Sequence, residues 1–158
     1  MKRVSCAIVC ALLFTSAGVL ADEVSGYRGW GPRVGVTVDP DQIHFGAHAD
    51  LGQITPRLRF QPNVEVGVGD NITIIALNFE AAYRFRGKWD VWSPYAGGGI
   101  GVNFISHERG GDNTDAGLNG LFGIEKGTRR GDRFFIEMKL GLLDPPDLKA
   151  TVGWTFFQ

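Results

Sequence analysis

Cysteine is almost missing from this chain: of 158 residues only Cys6 and Cys10 carry a thiol, and both lie in the first ten positions. Beyond that opening segment nothing is left to form a disulfide or a cysteine zinc site, so stability has to come from hydrogen bonding and packing. Long apolar runs are just as scarce. The one present, Ala7 to Leu20, follows Lys2 and Arg3, contains Thr15 and Ser16, and is too short to span a bilayer well. It reads as an export signal, with Val19-Leu20-Ala21 offering small residues for cleavage after Ala21. Lipidation at Cys10 is not expected, because Val9 stands where a small residue belongs and little apolar sequence precedes it. The expected organisation is a cleaved signal over 1–21 and one domain over 22–158.

An excess of basic charge is also lacking. Without Lys2 and Arg3 the chain has 14 Lys and Arg against 17 Asp and Glu, a balance that offers no footprint for nucleic acid. Sustained helical periodicity is absent, and the 23 glycines are spread along the chain, most of them singly inside alternating segments, instead of gathering into a low-complexity tract. That placement argues against disorder.

What the chain does have is a series of period-two stretches, the mark of strands with two unlike faces. Eight are expected. The first is Arg33 to Val38, with Val34, Val36 and Val38 on one face, and Asp39-Pro40-Asp41 turns it. In the second, Gln42 to Gly52, Ile43, Phe45, Ala47, Ala49 and Leu51 alternate with Gln42, His44, Gly46, His48 and Asp50. The third covers Arg57 to Val68, and Pro62 in its apolar row predicts a bulge or weak pairing because it donates no ladder bond. The fourth is clear from Leu77 to Arg86 and ambiguous over Ile72 to Ala76. The others span Trp92 to Ile105, Gly117 to Glu125, Phe134 to Leu142 and Leu148 to Phe157, with the longest loop at His107 to Asp115. This pattern suits a sandwich, a soluble barrel of lipocalin type or a membrane barrel.

Three features choose among them. The polar face carries Gly35, Gly46, Gly97, Gly99, Gly101, Gly123, Gly141 and Gly153, residues that weaken a solvated strand but suit the crowded interior of an eight-stranded barrel. Laid alternately up and down, the strands bring Trp30, Trp89, Trp92 and Trp154 to one rim together with Phe134 and Phe156, as in an aromatic girdle at a membrane interface. The same rim gathers Arg57, Arg59, Arg84, Arg86, Lys88, Arg129, Arg130 and Arg133. The opposite turns hold Asp39, Asp41, Asp70, Glu108, Asp112, Asp115, Asp144 and Asp147.

With its signal, its eight alternating segments, the stretch Pro94-Tyr95-Ala96-Gly97-Gly98-Gly99-Ile100-Gly101 and the aromatic ending Gly153-Trp154-Thr155-Phe156-Phe157, the chain resembles the small outer-membrane β-barrel proteins of the OmpA type. The resemblance implies an all-β, eight-stranded, antiparallel up-and-down transmembrane barrel in a bacterial outer membrane. It also implies a periplasmic Trp-bearing rim and acidic loops facing outward. The implied partners are lipopolysaccharide, phospholipid and the assembly machinery. Members usually end in an aromatic residue, whereas here Gln158 follows Phe157.

The expected interior row contains Glu65, Glu80, Arg84, Glu125, Glu137 and Lys139, next to His44, His48 and Asp50. Buried charges of both signs favour a salt-bridge network that closes the lumen over a narrow, porin-like conduit. Metal ligation is not expected: positions two apart on a strand are separated by about 7 Å, and the two histidines by twice that. Some relatives of this architecture are lipid A deacylases with Ser two residues after His. Here Arg109 holds that place, and Ser106 and His107, being adjacent, point to opposite faces. The acidic turns lack calcium-loop spacing and read as solvated. The expectation is therefore a structural or envelope-interacting barrel without catalysis or cofactor. The competing readings are a barrel-embedded lipid-modifying enzyme, a narrow channel, and a soluble lipocalin-like carrier with Val34, Phe45, Val66 and Phe79 lining its cavity.

Overall fold

A computed structural model describes residues 26–107, 111, 113–142 and 148–158. The expected signal segment, Glu108 and Asp112 of the long loop, and Asp144 and Asp147 of the last turn lie outside the described residues. Nine strands follow one another: β1 (Gly29–Val38), β2 (Gln42–Asp50), β3 (Gln53–Thr55), β4 (Leu58–Gly69), β5 (Ile72–Arg84), β6 (Ser93–His107), β7 (Asn113–Gly127), β8 (Arg133–Gly141) and β9 (Leu148–Phe157). Every pairing is antiparallel; β3 is a three-residue flap on β4, and β2 passes over it to pair with β4 directly. The first and last strands meet, with Val34 opposite Val152, so eight strands close into an up-and-down barrel.

Closure removes the exposed edges that an open sheet would present. It also creates two unlike ends. The start of β1, the end of β9 and the connections after β2, β5 and β7 lie at what we call the terminal rim, and the far ends of β1, β4, β6 and β8 lie at the opposite rim. The β4–β5 turn is only Asp70-Asn71, between the paired Gly69 and Ile72, and Asn71 takes the left-handed φ of 61° that asparagine tolerates.

Several strand bounds differ from the sequence reading. β1 starts at Gly29, four residues before the alternation becomes visible, since Gly31 and Pro32 break the apolar pattern without breaking the ladder. β7 begins at Asn113 and pairs with β6 up to Ile105, so both flanks of the expected long loop, His107 and Asn113 to Asp115, are strand. Pro62 causes no bulge: β4 pairs with β5 without interruption from Leu58 to Gly69. Its missing donor faces β2, because Phe60, two residues earlier, exchanges its backbone bonds with Leu51 and Gly52 on that side. The β2–β4 ladder stops at His48 and Asn63, one residue before Pro62, and the register shift falls in β3 between Gln53 and Thr55.

Polarity is inverted relative to a water-soluble core. Arg33, His44, Glu65, Glu137, Thr151 and Thr155 are buried, while Val34, Ile43, Phe45, Phe79, Ile100, Phe122, Ile136 and Val152 are exposed on the outer wall. The apolar core shrinks to Ala82, Tyr95, Leu121 and Phe135 in one layer of the lumen. The carrier reading fails here, since Val34, Phe45 and Phe79 are 47%, 54% and 48% exposed on the outside of the wall and line no cavity within it.

Candidate functional site

Inward side chains come from alternate positions of each strand, so the lumen fills in layers. Nearest the opposite rim, His44 is held between the hydroxyls of Thr37 and Thr151, at 3.0 and 2.9 Å. Below it lies an ionic layer centred on Arg33 of β1. Its guanidinium reaches Glu65 of β4 at 3.3 Å, Glu80 of β5 at 3.7 Å and Glu137 of β8 at 2.6 Å. Lys139 bridges Glu65 and Glu80 at 3.0 and 2.6 Å, and Lys149 stands 3.7 Å from Glu65. Three cations therefore face three carboxylates. Asn63 donates to Glu80 at 2.7 Å, Asn78 donates to Asn63 at 2.9 Å, and the Tyr95 hydroxyl donates to Glu137 at 2.9 Å.

The next layer is aromatic. Phe135 is fully buried, with the His48 ring edge-on at 5.3 Å and the Arg33 guanidinium 5.6 Å from its centroid. Tyr95 carries the Arg59 guanidinium over its face at 4.4 Å, within cation–π reach. Each ring covers a glycine on the next strand: Tyr95 is paired with Gly123 and Phe135 with Gly153. A Cβ at Gly153 would run into Cζ and Cε1 of Phe135, and one at Gly123 into the Tyr95 ring at 2.6 Å. Gly153→Ala is therefore expected to lower barrel stability by about 1–3 kcal/mol through overpacking. A urea midpoint, followed by tryptophan fluorescence in detergent, checks it, and an unchanged midpoint would show that the Phe135 ring can move aside.

At the terminal rim lies a second ionic layer. Arg59 pairs with Glu125, Arg133 bonds Asp50 at 2.8 Å and Thr155 at 3.2 Å, and Arg133 and Arg84 each stand 3.7 Å from Glu125. The network residues named from sequence thus divide into two groups. Glu65, Glu80, Glu137 and Lys139 share the Arg33 layer, whereas Glu125 is at the mouth and Arg84, with its side chain 50% exposed, only borders it. Sequence reasoning missed Arg33 as the hub and assigned Arg59 and Arg133 to the rim surface. The available signal for Arg33 and Arg59 was their position on the polar row of their strands, whereas Arg133 stood just before the strand read from Phe134. It was overlooked because arginines near strand ends usually reach outward to water.

His44, His48 and Asp50 are engaged separately, His48 with Thr155 at 2.8 Å and Asp50 with Arg133 and the Gly52 amide. Among the described residues no cluster of three metal-ligating side chains occurs. Ser106 and His107 oppose Thr73 and Ile72, on alternate faces of β6.

Outside, the aromatic residues at the terminal rim form a connected row. Ring centroids lie 6.1 Å apart for Trp92 and Phe134, 5.7 Å for Phe134 and Trp154, 6.5 Å for Trp154 and Phe156, and 6.0 Å for Phe156 and Trp30. The ammonium of Lys126 caps Trp92 at 4.7 Å. Trp89 stands apart from the row, 68% exposed, in a two-residue bridge with Trp92.

No protein-family model matches the chain, and no curated protein matches it. Solved structures do. Neisserial surface protein A superimposes with a TM-score of 0.65 at 14% identity, over 82% of this chain and 94% of that one. The N-terminal β-barrel domain of Pseudomonas aeruginosa OprF gives 0.65 at 12% identity, over 82% and 97%. The attachment invasion locus protein Ail of Yersinia pestis gives 0.50 at 12%, over 82% and 97%. The chain therefore has the fold of the small eight-stranded outer-membrane β-barrels.

Proposed function

We propose that this protein resides in a bacterial outer membrane as a structural or envelope-interacting barrel with a filled, non-catalytic lumen. The observation that carries the reading is the inverted wall: a band of exposed Val, Ile, Leu and Phe encircles a lumen of paired charges. A soluble monomer rarely exposes a contiguous apolar patch beyond a few hundred Å². In lipid the same band is the favourable surface, and a closed barrel satisfies every ladder bond without water.

The row from Trp92 to Trp30 suits the headgroup level of one leaflet, and the rim that carries it is read as the periplasmic one. Phospholipid and lipopolysaccharide are then the lateral partners, and the assembly machinery the partner in biogenesis. A conduit is disfavoured because the Arg33 layer crosses the whole lumen, with Arg33, Glu65 and Lys139 almost completely buried.

Fractionation tests the reading. The expressed protein is expected in the outer-membrane fraction, running faster on a gel without boiling than after it. Recovery in the soluble periplasmic fraction, with no heat-dependent shift, would refute it.

A further inference from the structure

The mouth of the barrel at the terminal rim holds more positive than negative charge in a confined space. A cavity of about 140 Å³ opens there, lined by five arginines and only two carboxylates, Asp50 and Glu125. Both carboxylates are already committed to Arg59, Arg84 and Arg133. That leaves Arg28 and Arg57 on its wall without an opposing carboxylate among the lining residues.

A second observation points the same way. Arg59 is 6% exposed and spends Nη1 on Glu125, yet its Nε and Nη2 have no hydrogen-bond partner. Nε of Arg133 is likewise without a hydrogen bond. Buried guanidinium N–H groups left unsatisfied are costly, and stacking on Tyr95 at 4.4 Å holds the Arg59 plane so that it cannot turn away to water. An oxyanion has the lone pairs and the charge that these donors lack. Next to this cavity is another of about 330 Å³, which shares Arg57 and Arg84, adds Arg86 and Lys88, and has no carboxylate in its wall. It forms a basic approach from solvent.

We propose that the terminal mouth binds a phosphate-type oxyanion, received by Arg59 and Arg133 and enclosed by Arg57 and Arg84. The group is either free phosphate or the headgroup of an anionic lipid at the rim. The donors belong to the barrel interior, so binding of free phosphate holds whether or not the outer wall meets lipid, while the headgroup source rests on the membrane reading.

The test uses the folded protein with its arginine Nε–H resonances assigned. In detergent micelles, inorganic phosphate at constant ionic strength is expected to shift Arg59 Nε–H saturably, with one site per chain. In nanodiscs of phosphatidylcholine, adding phosphatidic acid in place of inorganic phosphate shows whether a lipid headgroup reaches the same donors. A response in the first arm assigns free phosphate, and a response only in the second assigns the headgroup. Arg57→Ala/Arg84→Ala is expected to weaken binding at least tenfold in the responding arm while leaving the heat-dependent gel shift intact. Arg59→Ala disturbs a buried pair, so it is not the deciding variant. The proposal is overturned if neither arm moves Arg59, if chloride moves it equally, or if the double variant binds as the parent does.

Discussion

Phe79→Arg is expected to abolish assembly of the barrel. Phe79 lies near the middle of β5, between Pro62 of β4 and Ile100 of β6, with its ring exposed on the outer wall. A guanidinium at mid-membrane depth costs roughly 2–4 kcal/mol, falling to about 0–1 near the interfaces. Total stability of an ordinary domain is only about 5–15 kcal/mol, so the larger value removes much of the margin. Thr73→Arg, on the same face but one residue inside the strand end at the opposite rim, supplies the depth control and is expected to assemble normally. Val66→Arg on β4 tests the neighbouring strand in the same way. The readout is the fraction of protein showing the heat-dependent gel shift in the membrane fraction. If Phe79→Arg assembles as well as Thr73→Arg, the outer wall does not face lipid.

Arg33→Met is expected to be the most damaging change inside the lumen. The side chain is buried and its three guanidinium nitrogens face carboxylates from three different strands. Methionine leaves Lys139 and Lys149 against Glu65, Glu80 and Glu137, one negative charge in excess, with Glu137 keeping only the Tyr95 hydroxyl as a neutral donor. Removing one partner from a buried ionic group typically costs about 3–5 kcal/mol, because the remaining charge is neither solvated nor paired. Adding Glu137→Gln restores neutrality, so Arg33→Met/Glu137→Gln is expected to recover part of the loss. Urea unfolding of the two variants in detergent measures the coupling. A single variant within about 1 kcal/mol of the parent would mean that water enters the layer and replaces Arg33. In that case a planar bilayer would show conductance.

The strands were legible wherever a residue's polarity matched the face it occupies. β2 and the second half of β5 alternate without exception, and both pair as expected. The start of β5 was not legible, because Ile74 turns inward near the opposite rim while the polar Thr73 is outside, so the contrast between faces reverses. The start of β7 failed for a related reason: among the described residues Asn113 to Gly117 pair only with β6, and they are mostly exposed on both faces, leaving no burial difference for the sequence to record. Pro62 looked like a fault in β4 until the neighbouring strand was in view. Its missing donor lies where the β2 ladder has ended, and a single strand's sequence carries no information about where its neighbour stops.

By itself, then, the sequence determined the number of staves, which face of each is apolar, and the gathering of Trp and Arg at one rim. These are local properties, set by the two-residue repeat of an extended chain. Only the tertiary structure decided which charges meet. Arg33 joins Glu65, Glu80 and Glu137 because closing the barrel with its particular stagger brings β1, β4, β5 and β8 to one height. The same closure draws Arg59 and Arg133 inside the mouth and separates Glu125 from the rest of the expected network. Pairing across a lumen depends on the shear between strands far apart in the chain, and no residue pattern within one strand encodes that shear.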